Sequence, residues 1–179
     1  MRLFVAAWPS QEMLARIAAL PRPEVPGVRW TMPEQWHVTL RFFGEVTADD
    51  GVVAGKAVAE GAAASRPVVA VLGPRVELLG RGVLQAPVAG LEPVARALVA
   101  TTAGVGAPPG SRPFKGHVTL ARARGTRSLV GLAGAEVAGA WEVREVALVA
   151  SVASRRPRTP NRYEVIATVP LGGGAPEGA

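Results

Sequence analysis

The chain has 179 residues, 49% of them hydrophobic, which is enough for one domain with a buried core. It contains no cysteine, which excludes disulfide bonds and cysteine-ligated metal sites. The net charge of +6 is uneven: residues 112–162 carry ten Lys and Arg against three Asp and Glu, whereas residues 1–111 carry ten against nine. A basic second half indicates an anionic partner such as RNA. Eighteen arginines against two lysines indicate a GC-rich genome equally well, so charge alone leaves both interpretations open.

The first half predicts alternating strands and helices. An apolar strand over residues 2–8 is followed by Ser10, the expected N-cap of a helix that ends at Pro21 and Pro23. The next elements are a strand over residues 35–43, a helix from Asp49 to Ala63, and strands over residues 68–79, interrupted at Gly73-Pro74, and 83–88. No apolar run is long enough for a signal-peptide core or a membrane span, and we expect a soluble, cytoplasmic protein.

The second half repeats this order. A helix over residues 91–102 and a Gly/Pro-rich loop over residues 104–113 precede strands over residues 116–123, 143–153 and 163–171. We therefore predict a single α+β domain over residues 1–172, with two similar lobes of antiparallel sheet related by a pseudo-twofold axis. The Gly-rich segment 173–179 lacks periodicity and is expected to be a disordered tail.

The tetrapeptide His-Val-Thr-Leu occurs at residues 37–40 and again at 117–120, and it contains the only two histidines of the chain. The copies lie 80 residues apart in corresponding predicted strands, which indicates an internal duplication rather than a solenoid repeat. Side chains alternate along a strand, so each histidine shares a face with the threonine two residues later. Two facing lobes would bring both polar faces into one cleft, where a ligand would bind.

Two imidazoles and two hydroxyls in one cleft fit phosphoryl transfer. One histidine can activate the nucleophile while the other protonates the leaving oxygen, and threonine hydroxyls can bind phosphate oxygens. A lone histidine on a strand is more often structural, but core packing gives no reason to repeat a polar His-x-Thr face. With two histidines, no cysteine and no carboxylate at fixed spacing, the sequence lacks a metal-ligand set, and we expect no metal and no cofactor.

These motifs resemble those of the 2H phosphoesterases, and more closely the bacterial and archaeal RNA 2′,3′-cyclic phosphodiesterases, also called 2′-5′ RNA ligases. The resemblance covers nearly the whole chain. It includes the opening Arg2–Ala6, residues 33–44 around the first motif, residues 114–122 around the second, and a closing Ser151…Tyr163 pattern. Gln35 and Gly116 depart from the family pattern, which more often has Asn and Pro at these positions.

The resemblance implies metal-independent hydrolysis of an RNA 2′,3′-cyclic phosphate to a 2′-phosphomonoester, with 2′-5′ ligation as the reverse transesterification. His37 would protonate the departing 3′ oxygen and His117 would activate water. Thr39 and Thr119 would bind the phosphate with Arg122. Strict alternation, however, points Arg122 away from Thr119 and places Arg41 beside Thr39, which makes Arg41 a further candidate for substrate binding.

Other residues are candidates for binding the nucleotide. Phe4 and Tyr163 could stack on a base, although an apolar strand makes a core position more natural for Phe4. The basic segment 155–162 could bind the RNA backbone or remain a solvated loop. We expect a monomer that acts on RNA with a cyclic phosphate end, tRNA fragments being one source. A phosphodiesterase for a small cyclic nucleotide and a non-catalytic RNA-binding module are the alternatives.

Overall fold

Ten β-strands and three α-helices make up the described part of the chain, residues 1–152 and 161–173 of a computed structural model. The strands are β1 (Arg2–Ala7), β2 (Val28–Trp30), β3 (Val38–Glu45), β4 (Val68–Leu72), β5 (Glu77–Leu79), β6 (Val83–Ala89), β7 (His117–Ala123), β8 (Gly139–Val143), β9 (Glu145–Val152) and β10 (Arg162–Pro170). The helices are α1 (Gln11–Ala18), α2 (Ala48–Ala63) and α3 (Glu92–Thr102). Short 3-10 turns cover Pro33–Gln35, Val130–Leu132 and Leu171–Gly173.

The strands form one curled antiparallel sheet in the order β10-β9-β1-β3-β7-β6-β4-β8, with β2 paired to β7 and β5 paired to β6. Counted outward from the central β3–β7 pair, β1 matches β6, β9 matches β4, and β10 matches β8. The predicted α+β architecture with two similar halves is thereby confirmed. The two motif strands lie side by side at the centre of the sheet.

A single residue pair joins these two central strands. Val38 of β3 pairs with Val118 of β7, and both valines occupy the same position in their tetrapeptides. An antiparallel pair of equivalent residues lies on a local twofold axis, so the pseudo-twofold axis passes between these valines. Both are fully buried, as the alternation within each tetrapeptide predicts.

Alternation along β1 separates two apolar clusters on opposite faces of the sheet. Leu3 and Val5 point into the main core, which also contains the inner faces of α2 and α3. Phe4 and Ala6 point the other way and form a second cluster with β9, against which Trp8 packs. Because both faces of β1 are buried, its residues 3–7 are all apolar.

The structure confirms most predicted elements, including Ser10 as the N-cap of α1, whose hydroxyl accepts a hydrogen bond from the Met13 amide at 3.3 Å. Two strands begin later than expected. The first motif strand begins at Val38 because the preceding residues form a 3-10 turn, and the strand expected over residues 143–153 is β9, which begins at Glu145 after a separate strand, β8, that was not predicted. The short strand β2 was not predicted, and residues 174–179 of the expected tail lie outside the described residues.

Helices α2 and α3 pack against each other with a glycine at the contact. A Cβ added at Gly61 would lie 3.1 Å from Leu98 Cα and 3.2 Å from the Ala97 carbonyl oxygen, both backbone atoms of α3. A Cβ at Gly55, in the same helix, would lie 3.9 Å from a methyl group of Leu148, an ordinary contact. Gly61 therefore allows the close approach of the helices, whereas Gly55 does not serve that purpose.

We expect Gly61→Ala to lower the free energy of unfolding by about 1–3 kcal/mol, because two helix backbones would have to separate. Gly55→Ala should raise it by about 0.5–1 kcal/mol, because alanine favours the helix and meets no obstacle. Urea unfolding of the two variants and the parent measures both effects. Stabilisation by both substitutions would show that the helices can separate at no cost.

Candidate active site

The two motifs place their polar side chains in one cleft. His37, Thr39, His117 and Thr119 all line a cavity with a volume of about 440 Å³. Extending the central valine pairing by one residue in each direction sets His37 opposite Thr119 and Thr39 opposite His117. Each histidine of one half therefore has the threonine of the other half as its cross-strand neighbour.

Both imidazoles are held by the same kind of hydrogen bond. His37 Nδ1 lies 2.8 Å from the carbonyl oxygen of Gln35, and His117 Nδ1 lies 2.8 Å from that of Lys115. A carbonyl oxygen only accepts, so each Nδ1 carries the proton and each neutral ring leaves Nε2 as its basic nitrogen. The main-chain carbonyl of residue 35, not its side chain, orients the His37 ring. Gln35 can therefore stand where the family pattern more often has Asn.

The surroundings of His37 are aromatic. The Phe4 ring stacks on the imidazole at 4.8 Å between centroids, and Trp8 and Tyr163 contact it edge-on at 5.4 Å and 5.2 Å. Burial lowers the pKa of His37 to about 4, with smaller contributions in the same direction from the nearby charges of His117 and Arg122. The bond to the Gln35 carbonyl opposes this shift. His37 is therefore neutral at pH 7 in the free protein.

A β-bulge in β7 explains how Arg122 reaches the cleft. Residues 84 and 85 of β6 are consecutive, yet they pair with Ala121 and Thr119, which leaves Leu120 as an extra residue. An extra residue reverses the alternation beyond it. Leu120 and Ala121 are both buried, and Arg122 lines the same cavity as Thr119. Strict alternation had placed this arginine on the other face.

The same bulge occurs in β3. Residues 5 and 6 of β1 pair with Arg41 and Thr39, which leaves Leu40 as the extra residue. Arg41 is consequently turned to the buried face, and Phe42 lines the cleft in its place. The expectation that Arg41 lies beside Thr39 is therefore wrong, because it assumed uninterrupted alternation.

The buried Arg41 holds the chain between α3 and the second motif. Its guanidinium donates to the carbonyl oxygens of Val105 at 3.2 Å and Ala107 at 2.7 Å, and to the Thr102 hydroxyl at 3.3 Å. The ring of Phe43 lies 4.9 Å from its central carbon. A buried cation thus binds two carbonyl oxygens of this loop, which supply hydrogen-bond acceptors for its charge.

Gly116 lies where β7 approaches β6 closely. The Val88 amide donates to the Gly116 carbonyl at 2.8 Å, and a Cβ at position 116 would lie 2.4 Å from the Val88 carbonyl oxygen. The glycine therefore permits a close backbone contact just before His117.

Of the two residues predicted to stack on a base, Tyr163 lines the cleft half-buried, whereas Phe4 reaches its wall but is buried with its ring against His37. Ser151 of the closing pattern also lines the cleft. Burial raises the pKa of Tyr163, and the charges of Arg122, Arg2 and Arg29 oppose this. Lining residues without a predicted role are Arg2, Arg29, Trp30, Thr31, Gln35, Phe42 and Asn161. In the sequence, β2 is indicated only by the short alternation of apolar and polar residues in Val28-Arg29-Trp30.

Several predictions concern other parts of the chain. Residues 155–160 of the basic segment lie outside the described residues, and Arg162, at its end, pairs with Glu164. In the described ranges, no three His, Cys, Asp or Glu side chains are grouped as metal ligands. No helix within these ranges is long and apolar enough to cross a membrane.

The low pKa of His37 makes stability depend on pH. Between pH 6.5 and pH 4 the unfolded chain binds a proton at this site that the folded protein does not, so stability falls as pH falls through this window. From pH 7 to pH 4.5 the loss from this group is about 2 kcal/mol.

We expect His37→Gln to remove this loss, because glutamine does not titrate. Urea unfolding of parent and variant at pH 7 and pH 4.5 isolates the contribution, since the carboxylates are common to both. An equal pH dependence in the two proteins would mean that His37 titrates near its ordinary pKa.

Neither a protein-family model nor a curated protein sequence matches the chain. Solved structures do match. The protein TT0787 of Thermus thermophilus is 25% identical with a TM-score of 0.75, over 98% of this chain and 100% of its own. E. coli LigT complexed with 3′-AMP is 23% identical, with a TM-score of 0.74 over 95% of this chain and 97% of its own.

A structure described as a phosphoesterase is 24% identical, with a TM-score of 0.76 over 95% of this chain and 97% of its own. These neighbours are members of the 2H phosphoesterase superfamily. They match the curled antiparallel sheet and the three helices across almost the entire chain. The resemblance found in the two motifs is confirmed: the chain has the fold of the 2H phosphoesterases.

Proposed function

We propose that this protein hydrolyses 2′,3′-cyclic phosphate ends of RNA to 2′-phosphomonoesters, and that it catalyses 2′-5′ ligation as the reverse transesterification. The observation that carries the proposal is the pair of imidazoles in one cleft, each with Nδ1 bound to a carbonyl and Nε2 available. Two such groups can supply one base and one acid in a single displacement.

The proposed reaction uses the chain's own side chains at each step. Nε2 of His117 takes a proton from water, whose oxygen attacks the phosphorus opposite the 3′ oxygen. The bond from phosphorus to the 3′ oxygen breaks, and protonated Nε2 of His37 donates its proton to that oxygen. The hydroxyls of Thr39 and Thr119 and the guanidinium of Arg122 bind the non-bridging oxygens, where negative charge increases.

The environment of His37 supports its role as the acid. Its imidazolium is destabilised by aromatic burial, so it gives up a proton readily once formed. A bound phosphate brings negative charge beside it and offsets the charges of His117 and Arg122 that disfavour its protonation. Substrate binding would therefore promote the protonated state that the reaction needs.

The fold neighbours support phosphoester chemistry, since one is described as a phosphoesterase and LigT was crystallised with 3′-AMP. The half-buried ring of Tyr163 in the cleft fits a nucleobase or ribose. These features apply equally to a small cyclic nucleotide. A cyclic mononucleotide and a cyclic-ended oligonucleotide therefore have to be compared as substrates.

The first test is incubation with an oligoribonucleotide that ends in a 2′,3′-cyclic phosphate, in the presence of chelator. We expect a 2′-phosphate product, and His37→Ala and His117→Ala should each lower turnover by ~10²–10⁴-fold, the usual contribution of a general acid or base. Product identification by mass spectrometry and chromatography against 2′- and 3′-phosphate standards gives the regiochemistry.

Circular dichroism of both variants controls for folding. Unchanged turnover in either variant would contradict the two-histidine mechanism, and binding of the RNA without turnover would favour a binding module. Inhibition by chelator that a divalent ion reverses would require a metal in the reaction.

A second test separates the acid from the base. With sulfur in place of the bridging 3′ oxygen, the leaving thiolate is stable without a proton. The loss in kcat/KM caused by His37→Ala should then shrink by at least tenfold, while the loss caused by His117→Ala persists. The opposite pattern would assign the acid role to His117.

A further inference from the structure

Two arginines lie directly opposite each other at one end of the cleft. Arg29 of β2 pairs with Arg122 of β7 in register, and both line the cavity. Side chains of a directly opposed pair share one face, and like charges in such a pair destabilise a sheet. An anionic ligand would offset this repulsion.

The charges of these two arginines are not compensated by the protein. Among the described residues neither forms an ion pair, and no Asp or Glu lines the cavity. Arg2 differs, because its guanidinium lies 3.6 Å from a Glu45 carboxylate oxygen and 5.4 Å from the Phe42 ring centre. The cleft thus has two uncompensated cations at this end, whereas a cyclic phosphodiester carries one negative charge.

Strand β2 is fixed in its register by side chains, so the position of Arg29 is well defined. The Thr31 hydroxyl lies 2.7 Å and 2.8 Å from the Thr119 and Leu120 carbonyl oxygens, and it accepts from the Trp36 indole at 3.0 Å. The Trp30 indole donates to the Pro23 carbonyl at 3.1 Å. The Thr31 bonds attach the end of β2 to the bulged part of β7.

We propose that Arg29 binds a second phosphate of the substrate, the one on the 5′ oxygen of the ribose that carries the cyclic phosphate, while Arg122 binds the reacting phosphate. Adjacent strands lie about 4.8 Å apart, so arginines on both can contact two successive phosphates of one nucleotide chain. The proposal rests on the proposed function. It makes Arg29 a specificity residue that favours RNA ends and 5′-phosphorylated nucleotides over cyclic phosphates that lack a second phosphate.

Three substrates test this role. The first is a nucleoside 2′,3′-cyclic phosphate, the second the same compound with a 5′-phosphate, and the third a dinucleotide with the same cyclic end. We expect Arg29→Gln to lower kcat/KM for the second and third by roughly 10–100-fold, the range of a charge-assisted hydrogen bond. For the first substrate kcat/KM should stay within about twofold, since the variant lacks only the second contact.

Arg124→Gln is the matched control, because it removes the same charge next to β7 from a residue that does not line the cavity. It should leave the preference for a second phosphate intact. An equal loss on all three substrates in Arg29→Gln, or no loss on any, would overturn the proposal.

Binding of products tests the subsite without turnover. Calorimetry should show adenosine 2′,5′-bisphosphate binding the parent at least tenfold more tightly than adenosine 2′-phosphate, and Arg29→Gln should abolish the difference. Equal affinities in the parent would overturn the second-phosphate site even if the enzyme proves active. If no cyclic phosphate is hydrolysed but the difference in affinity is present, the proposed function fails and the subsite stands.

Discussion

The site depends on the pairing of Val38 with Val118 across the centre of the sheet. The contact is a single residue pair, yet it fixes the register of the two antiparallel motif strands. Residues at the same position in the two tetrapeptides then lie symmetrically about this pair. The histidine of each half then lies across from the threonine of the other half. A shift of one strand by one residue would turn its polar face into the core, where an imidazole and a hydroxyl would be buried without partners. Burial of the two valines therefore fixes the positions of the polar side chains in the cleft.

The bulges at Leu40 and Leu120 give the two halves different chemistry on a similar scaffold. Each bulge moves the second residue after it into the cleft and the first into the core. In the first half, Phe42 lies in the cleft and Arg41 in the core. In the second half, Arg122 lies in the cleft and Ala121 in the core. A symmetric device thus places an aromatic ring on one side of the cleft and a cation on the other.

The sequence was sufficient to predict the fold class and to predict that the two histidines and their threonines share one cleft, because these follow from a repeated pattern with a period of two residues. Alternation alone gave the wrong face for Arg41 and Arg122, because a bulge is a property of strand pairing and the chain does not show which residue is left unpaired; Arg122 was a candidate through the family resemblance. Arg29 was missed for a related reason. Its strand is only three residues long, and its place in the cleft depends on pairing with a strand more than 80 residues away.

For the proposed reaction, the difference between the two halves would also determine how a substrate lies in the cleft. A pseudo-symmetric pair of His-x-Thr strands could bind a phosphodiester in either direction with equal energy. The rings of Phe4, Trp8 and Tyr163 surround His37, and the uncompensated charges of Arg29 and Arg122 lie beyond Thr119, the residue opposite His37. Apolar rings attract the flat faces of a nucleoside and cations attract phosphates. Both kinds of surface therefore lie toward the His37 end, which breaks the twofold equivalence of the cleft, and for the proposed reaction this asymmetry would select one direction of substrate binding.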